Sequence, residues 1–188
     1  LGLDFKSPLD YLSNSKTQIL FVGRLDWAPN KEGLKWILTN IWPKVIKNRT
    51  DIVLNIVGSG NREWLSSFKG MENVVLHGFV PDIKDMYRLS DFTIAPIKFG
   101  SGTRIKVIES YAFGRNIIST NMGAQGSGLI ESDYIPCETD EEWINTFSSI
   151  SLSEKYKLLS RQSNKKLGSI YDEVQVGQDF YFWLKTFL

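Results

Sequence analysis

In the stretch GSGTRIKVIE, the loop Gly100-Ser101-Gly102-Thr103-Arg104 runs into Lys106 and Glu109, which sets two cations and a carboxylate behind a hydroxyl-rich glycine turn. Glycine lets a ligand approach the backbone without a Cβ in the way. A helix starting after such a loop favours an anion, because its first N–H groups lack partners and its dipole is positive there. A carboxylate at Glu109 could accept hydrogen bonds from a ribose diol while Arg104 and Lys106 face phosphate, so the stretch holds parts for both halves of a nucleotide. The same residues also fit a plain strand-to-helix turn. In that reading Lys106 and Glu109 are an exposed helix pair worth only ~0.2–0.5 kcal/mol.

Positioning this loop takes a strand before it, and the apolar residues 92–97 predict one, followed by a helix over 103–113 and a strand over 116–120. The alternation recurs upstream. QILFVG at 18–23 predicts a strand, and Leu34, Ile37, Leu38, Ile41, Trp42 and Val45 give helical spacing across 33–47. DIVLNIVG at 51–58 predicts the next strand, with a short helix near 62–68. A third strand covers 74–80, and Pro81 with Asp82 opens a helix to about Leu89. Strands that are apolar throughout, each followed by a helix, argue for a parallel sheet covered on both faces: a Rossmann-like, doubly wound α/β domain. Ligands of such sheets settle beyond the carboxyl ends of the strands, near the reversal of strand order. Gly23-Arg24, Gly58-Ser59-Gly60, His77-Gly78-Phe79-Val80, Gly100-Ser101-Gly102 and residues 120–128 all fall on that edge. Beyond Gly128 the pattern fades to an apolar piece at 134–136 and helices over 139–150 and 153–167. The aromatic-rich segment 174–188 predicts a last helix packed into its own core.

A chain of 188 residues fits one domain with a substantial core, expected over 18–188 after a lead-in at 1–17 that reads as the end of a preceding domain. With 42% hydrophobic and 23% charged residues, and a net charge of +1 from scattered Lys and Arg, disorder and a nucleic-acid face are both disfavoured. Cys137 and His77 are the only residues of their kinds, which excludes an intrachain disulfide and a Cys/His zinc site. No apolar run approaches the ~20 residues of a membrane span and no signal sequence opens the chain, so a soluble, cytoplasmic protein is expected.

With these loops in order, the chain resembles the C-terminal half of GT-B glycosyltransferases, the broad retaining group that includes family 4 sugar transferases, over residues 18–147. FVGRLDWAPNKEG at 21–33, NIVGSG at 55–60, VVLHGFVPDIKDMYRLSDFTIAP at 74–96 and GSGTRIKVIESYAFGRNIIST at 100–120 carry it. The resemblance implies one half of a GT-B fold that binds a nucleoside diphosphate sugar, while a separate N-terminal domain binds the acceptor. Transfer of a hexose-type sugar to a hydroxyl, with retention, would follow in the cleft between them. It implies that Glu109 binds the ribose and that Gly102, Thr103 and Arg104, in the loop with Gly100 and Ser101, meet the diphosphate and sugar. Gly23 and Arg24 would lie at the phosphates, and Gly78, Phe79 and Val80 would frame the base. Arg24, Lys31, Arg104 and Lys106 are the candidates to stabilise charge growing on the departing diphosphate. No cofactor is implied beyond the donor, and the lack of an Asp-x-Asp motif fits a metal-independent route. Polysaccharide assembly on membrane-linked acceptors at the inner face of a membrane belongs to the same picture.

Two positions depart from the pattern. Ser101 stands where members often carry a second glutamate, eight positions before the ribose-binding one. Glu32 precedes Gly33 where members carry a basic residue, leaving Lys31 one place early. A nucleotide-sugar epimerase of the same architecture and a binding module without transferase activity are the rival readings, the second favoured by Ser101. A nicotinamide-dependent dehydrogenase is disfavoured, since neither glycine turn after the early strands has G-x-G-x-x-G spacing.

Overall fold

The computed structural model describes residues 5–6, 8–11, 15–102, 104–151 and 153–171; Thr103 and the expected helix at 174–188 lie outside them. The apolar runs form β1 (Thr17–Val22), β2 (Ile52–Val57), β3 (Val74–Gly78), β4 (Phe92–Ala95), β5 (Asn116–Ser119) and β6 (Ile135–Pro136). Among the described residues these make one sheet in the order β3-β2-β1-β4-β5-β6, with every neighbouring pair parallel. The doubly wound expectation therefore holds. Strand order reverses between β1 and β4, which brings the loops after these two strands side by side.

The helices are α1 (Ala28–Trp36), α2 (Trp42–Val45), α3 (Lys84–Leu89), α4 (Ile105–Ala112), α5 (Asn121–Ala124), α6 (Asp140–Ser149) and α7 (Glu154–Tyr171). Period-2 alternation splits the core. Ile19 and Phe21 of β1 pack with Leu34, Ile37, Trp143 and Phe147 beneath α1 and α6, whereas Leu20 packs with Val57, Met86 and Tyr87 beneath α3. On the α3 side a further cluster joins Val107, Ile108 and Tyr111 of α4 to Ile117 and Leu167.

The first helix and β3 differ from expectation. The first helix begins at Ala28 rather than Gly33, because Pro29 in its first turn has its φ preset and lacks an N–H that would in any case go unpaired. The same helix widens to a π turn at Ile37–Ile41 before α2, with the Trp42 N–H donating to Ile37 O. Pro43 follows at once; it cannot donate to the carbonyl four residues back and crowds it, which favours the wider turn. Finally, β3 ends at Gly78 instead of Val80 and is not covered on both faces: Val75 and Leu76 are 42% and 38% exposed. Among the described residues it is an edge strand paired with β2 alone, and Gly78 at φ 71° turns the chain out of the sheet.

Part of the lead-in packs against this domain. Phe5 joins the α4/α7 cluster, and the fully buried Arg115 donates to Tyr87 O at 2.7 Å, Leu9 O at 2.9 Å and Asp10 O at 2.8 Å while lying 3.8 Å from the Tyr11 ring centroid.

Candidate functional site

At the reversal point, the turn after β1 and the loop after β4 are fixed by different means. The Leu25 N–H donates to Ser59 O, and the Trp64 indole donates to Leu25 O, which ties the β1 turn to the β2 turn. Gly58 serves this packing: a Cβ there would collide with the Gly23 carbonyl oxygen. The ends of β4 and β5 are joined by the Ser119 hydroxyl donating to Ala95 O at 3.2 Å and the Thr120 hydroxyl donating to Ile97 O. Thr120 also caps α5, accepting from the Gly123 N–H, so a helix that the sequence reading did not include starts at this edge.

The loop itself depends on two glycines in the left-handed region, Gly100 at φ 103° and Gly102 at φ 93°. Gly100, Ser101 and Gly102 are exposed. Arg104 is 4% exposed and its guanidinium turns back onto this loop, donating to Gly100 O at 2.8 Å and Ser101 O at 2.9 Å, with Trp27 stacked 5.5 Å away. Burial lowers its pKa from the ordinary arginine value. The arrangement makes Arg104 a brace for the loop rather than a cation aimed outward. Arg104→Ala is expected to cost about 1.5–3 kcal/mol, the scale of hydrogen bonds from a charged group. Arg104→Lys keeps the charge but not the fork, and is expected to recover little. Urea denaturation checks the first expectation; a lysine variant of full stability would contradict the second.

Arg24 is exposed and paired with Asp26 through two contacts, Nε to Oδ1 at 3.1 Å and Nη2 to Oδ2 at 3.0 Å. Their hydrogen bonds hold the arginine pKa up and the aspartate pKa down. Lys31 is partly exposed on α1, and its N–H donates to Trp27 O.

Lys106 and Glu109 both lie on α4, each only partly exposed, and neither is half of an exposed surface pair. The Lys106 ammonium lies inside, beside Gly23, hydrogen-bonded to Asn30 Oδ1 and 4.6 Å from the Phe21 ring centroid. Burial, reinforced by Arg104 and opposed by Glu109, lowers its pKa to about 7. Glu109 is partly buried and accepts a long hydrogen bond from the Tyr87 hydroxyl at 3.4 Å. Burial raises its carboxyl pKa, while Tyr87 and Lys106 pull it back.

Gly78, Phe79 and Val80 close β3, three strand spacings from β4, about 14 Å at ordinary sheet geometry. Phe79 is 72% exposed, and Gly78 O accepts from the Gly58 N–H at 2.8 Å. His77 lies in β3 with Nε2 2.8 Å from Asn55 Oδ1, and burial lowers its pKa. The structure thus gathers Gly23, Gly100, Ser101, Gly102, Lys106 and Glu109 at the β1/β4 crevice and leaves Gly78 to Val80 at its far end. Asn30 and Tyr87 are the polar partners that sequence reading did not single out; the WAPN segment, placing a buried asparagine in the first turn of α1, was the available signal for the first.

Cavities of about 400, 590 and 320 Å³ lie elsewhere, beneath Tyr11 and Asn164, along Phe68 and His77, and around Met122 and Tyr134.

A doubly wound parallel sheet with an exposed glycine loop at its reversal point defines the class. Residues 16–148 match the family described as glycosyl transferases group 1, and the chain belongs to that family. A Klebsiella pneumoniae relative, described as an uncharacterized 44.6 kDa protein in the cps region, is 27% identical over 131 residues; the match covers 65% of this chain and 34% of the relative, so the chain spans about a third of that protein. Among solved structures, the C-terminal domain of the Francisella tularensis group 1 glycosyl transferase LpcC has a similar fold (TM-score 0.64, 14% identity, 93% of this chain and 100% of that one). Anabaena Alr3699/HepE in complex with UDP and glucose does too (TM-score 0.71, 11% identity, 91% of this chain and 48% of that one). Among the described residues, no helix is long and apolar enough to cross a membrane.

Proposed function

We propose that this domain binds a nucleoside diphosphate sugar at the β1/β4 reversal point and, with an N-terminal acceptor domain, transfers the sugar to a hydroxyl with retention of configuration. The donor domain is taken from β1 onward, with the preceding segment packed in part against it. The observation that carries the reading is the pairing on α4 of an inward ammonium, Lys106, with a partly buried carboxylate, Glu109, directly behind an exposed glycine loop. Glu109 accepts hydrogen bonds from the ribose diol. Gly23, the Gly100-Ser101-Gly102 loop with Thr103, and the first N–H groups of α4 receive the diphosphate. Gly78, Phe79 and Val80 frame the base.

In the transfer, the bond from the anomeric carbon to the diphosphate oxygen breaks, a bond to the acceptor oxygen forms, and the acceptor proton leaves with the diphosphate. Lys106, with Arg24 and Lys31 at the rim, offsets the charge that grows on the leaving group, and Arg104 keeps the loop in shape to receive it. No metal or cofactor is assigned beyond the donor. The family and the UDP-bound neighbour support a nucleotide sugar as donor, and the Klebsiella relative supports a place in polysaccharide or glycoconjugate assembly. A cytoplasmic location, with a membrane-linked acceptor met at the inner face, fits this role.

Thermal-shift titration with UDP, GDP and ADP and their sugars tests it. One nucleotide is expected to stabilise the chain by about 2.7 kcal/mol at a hundred times its Kd; no stabilisation by any would sink the donor-site reading. Ser101, in place of a second carboxylate, favours a second reading as a binding module. Tight donor binding without transfer across acceptors, in a protein that includes the acceptor domain, would select it.

A further inference from the structure

We propose that Asn30 is a positioning residue that holds the Lys106 ammonium at the reversal point through a neutral amide, so that donor diphosphate binds there together with a proton. This rests on the donor-site reading above and deepens it.

Asn30 is 4% exposed in the first turn of α1, 76 positions from its partner. Its Nδ2 donates to Arg24 O at 2.9 Å and its Oδ1 accepts from Lys106 Nζ. That network fixes the amide orientation, because a flipped amide would set its NH₂ against the ammonium and its oxygen against a carbonyl. A Cβ built on Gly23 would lie 2.6 Å from Asn30 Nδ2 and 3.0 Å from Lys106 Nζ, so both groups abut the backbone of the turn after β1. The amide thus bridges the two elements that flank the crevice.

Lys106 is surrounded by groups that do not settle its charge. Phe21 from β1 and Asn30 from α1 are uncharged, and the Arg24 guanidinium is engaged with Asp26. Arg104 and Glu109 oppose one another, and Tyr87 from α3 is directed to Glu109. With burial as the largest influence, the ammonium loses its proton near pH 7. An anion beside it favours the charged form and raises that value. The sign follows: above pH 7 the complex holds a proton that the unliganded chain lacks, so affinity falls as pH rises. An aspartate at position 30 would give Lys106 an anion in advance and could not donate to Arg24 O.

Calorimetry of UDP, GDP and ADP with the 188-residue chain, at pH 8 in buffers of differing ionisation enthalpy, tests the coupling. A terminal phosphate with a second pKa of about 6 is then already ionised. The tightest binder is expected to take up close to one proton, and its affinity to fall about fivefold from pH 7 to pH 8. Asn30→Asp is expected to flatten that slope and bring uptake near zero, and Lys106→Met to do the same with weaker binding. The wild-type measurement needs neither variant to fold. Binding without uptake in the wild type, or unchanged uptake in a folded variant, overturns this inference and leaves the donor site standing. If none of the three diphosphates binds, both fall.

Discussion

Gly33→Ala is expected to lower the unfolding free energy by about 3 kcal/mol or more, at or above the upper end of ordinary overpacking costs. Gly33 lies in α1 where the helix crosses the end of β4. A Cβ there would collide with the Pro96 carbonyl oxygen and lie 2.8 Å from the Pro96 carbonyl carbon. The obstacle is backbone, which cannot swing aside as the tip of a side chain can. Relief requires α1 to move away from β4, and these two elements carry Asn30 on one side of the crevice and the glycine loop on the other. Nucleotide affinity is therefore expected to fall together with stability. Gly70→Ala provides the contrast: Gly70 has φ 82° but nothing within 4 Å of a new Cβ, so its cost is the left-handed backbone alone, about 1–2 kcal/mol. Urea denaturation of both variants decides between them, and equal losses would contradict the packing argument.

Glu109→Ala is expected to weaken a nucleoside diphosphate by about 1.5–3 kcal/mol, roughly ten- to 150-fold in Kd. The carboxylate is partly buried, so the ribose would meet it where water competes poorly. Loss of the same size for the bare nucleoside is expected, because the ribose is common to both ligands. The effect on folding is expected to be smaller than the effect on binding: burial already disfavours the charged carboxylate, and its Tyr87 hydrogen bond is long. Calorimetry with diphosphate and nucleoside checks this. An affinity that survives the substitution would remove Glu109 from the ribose.

Much of the fold was legible because its signals are local. QILFVG and DIVLNIVG are apolar at most positions on both faces, and their spacing from helical segments pointed to a parallel sheet. The loops on the carboxyl edge followed from that topology. What stayed hidden was long-range. Nothing periodic links Asn30 to Lys106, Tyr87 to Glu109 or Arg115 to the carbonyls of Leu9 and Asp10, and each pair meets only after the chain has wound through the sheet. Residue type did not reveal which groups the cations would meet. Arg104 reads as a phosphate ligand in a glycine loop, but its planar fork finds two loop carbonyls within reach once the chain turns at Gly100 and Gly102. Arg24 likewise reads as a lone cation after a glycine, whereas Asp26 meets it two residues on. Lys106 reads either as a phosphate-facing cation or as half of a surface pair, and helix spacing alone does not reveal that its ammonium lies against Asn30 and Phe21.

A crystal structure of the chain with UDP tests the location of the donor site most directly. The ribose hydroxyls are expected within hydrogen-bond distance of the Glu109 carboxylate, with the diphosphate against Gly23, the Gly100-Ser101-Gly102 loop and the Lys106 ammonium. A nucleotide bound away from the β1/β4 reversal point, such as in the groove along Phe68 and His77 beside β3, would contradict it.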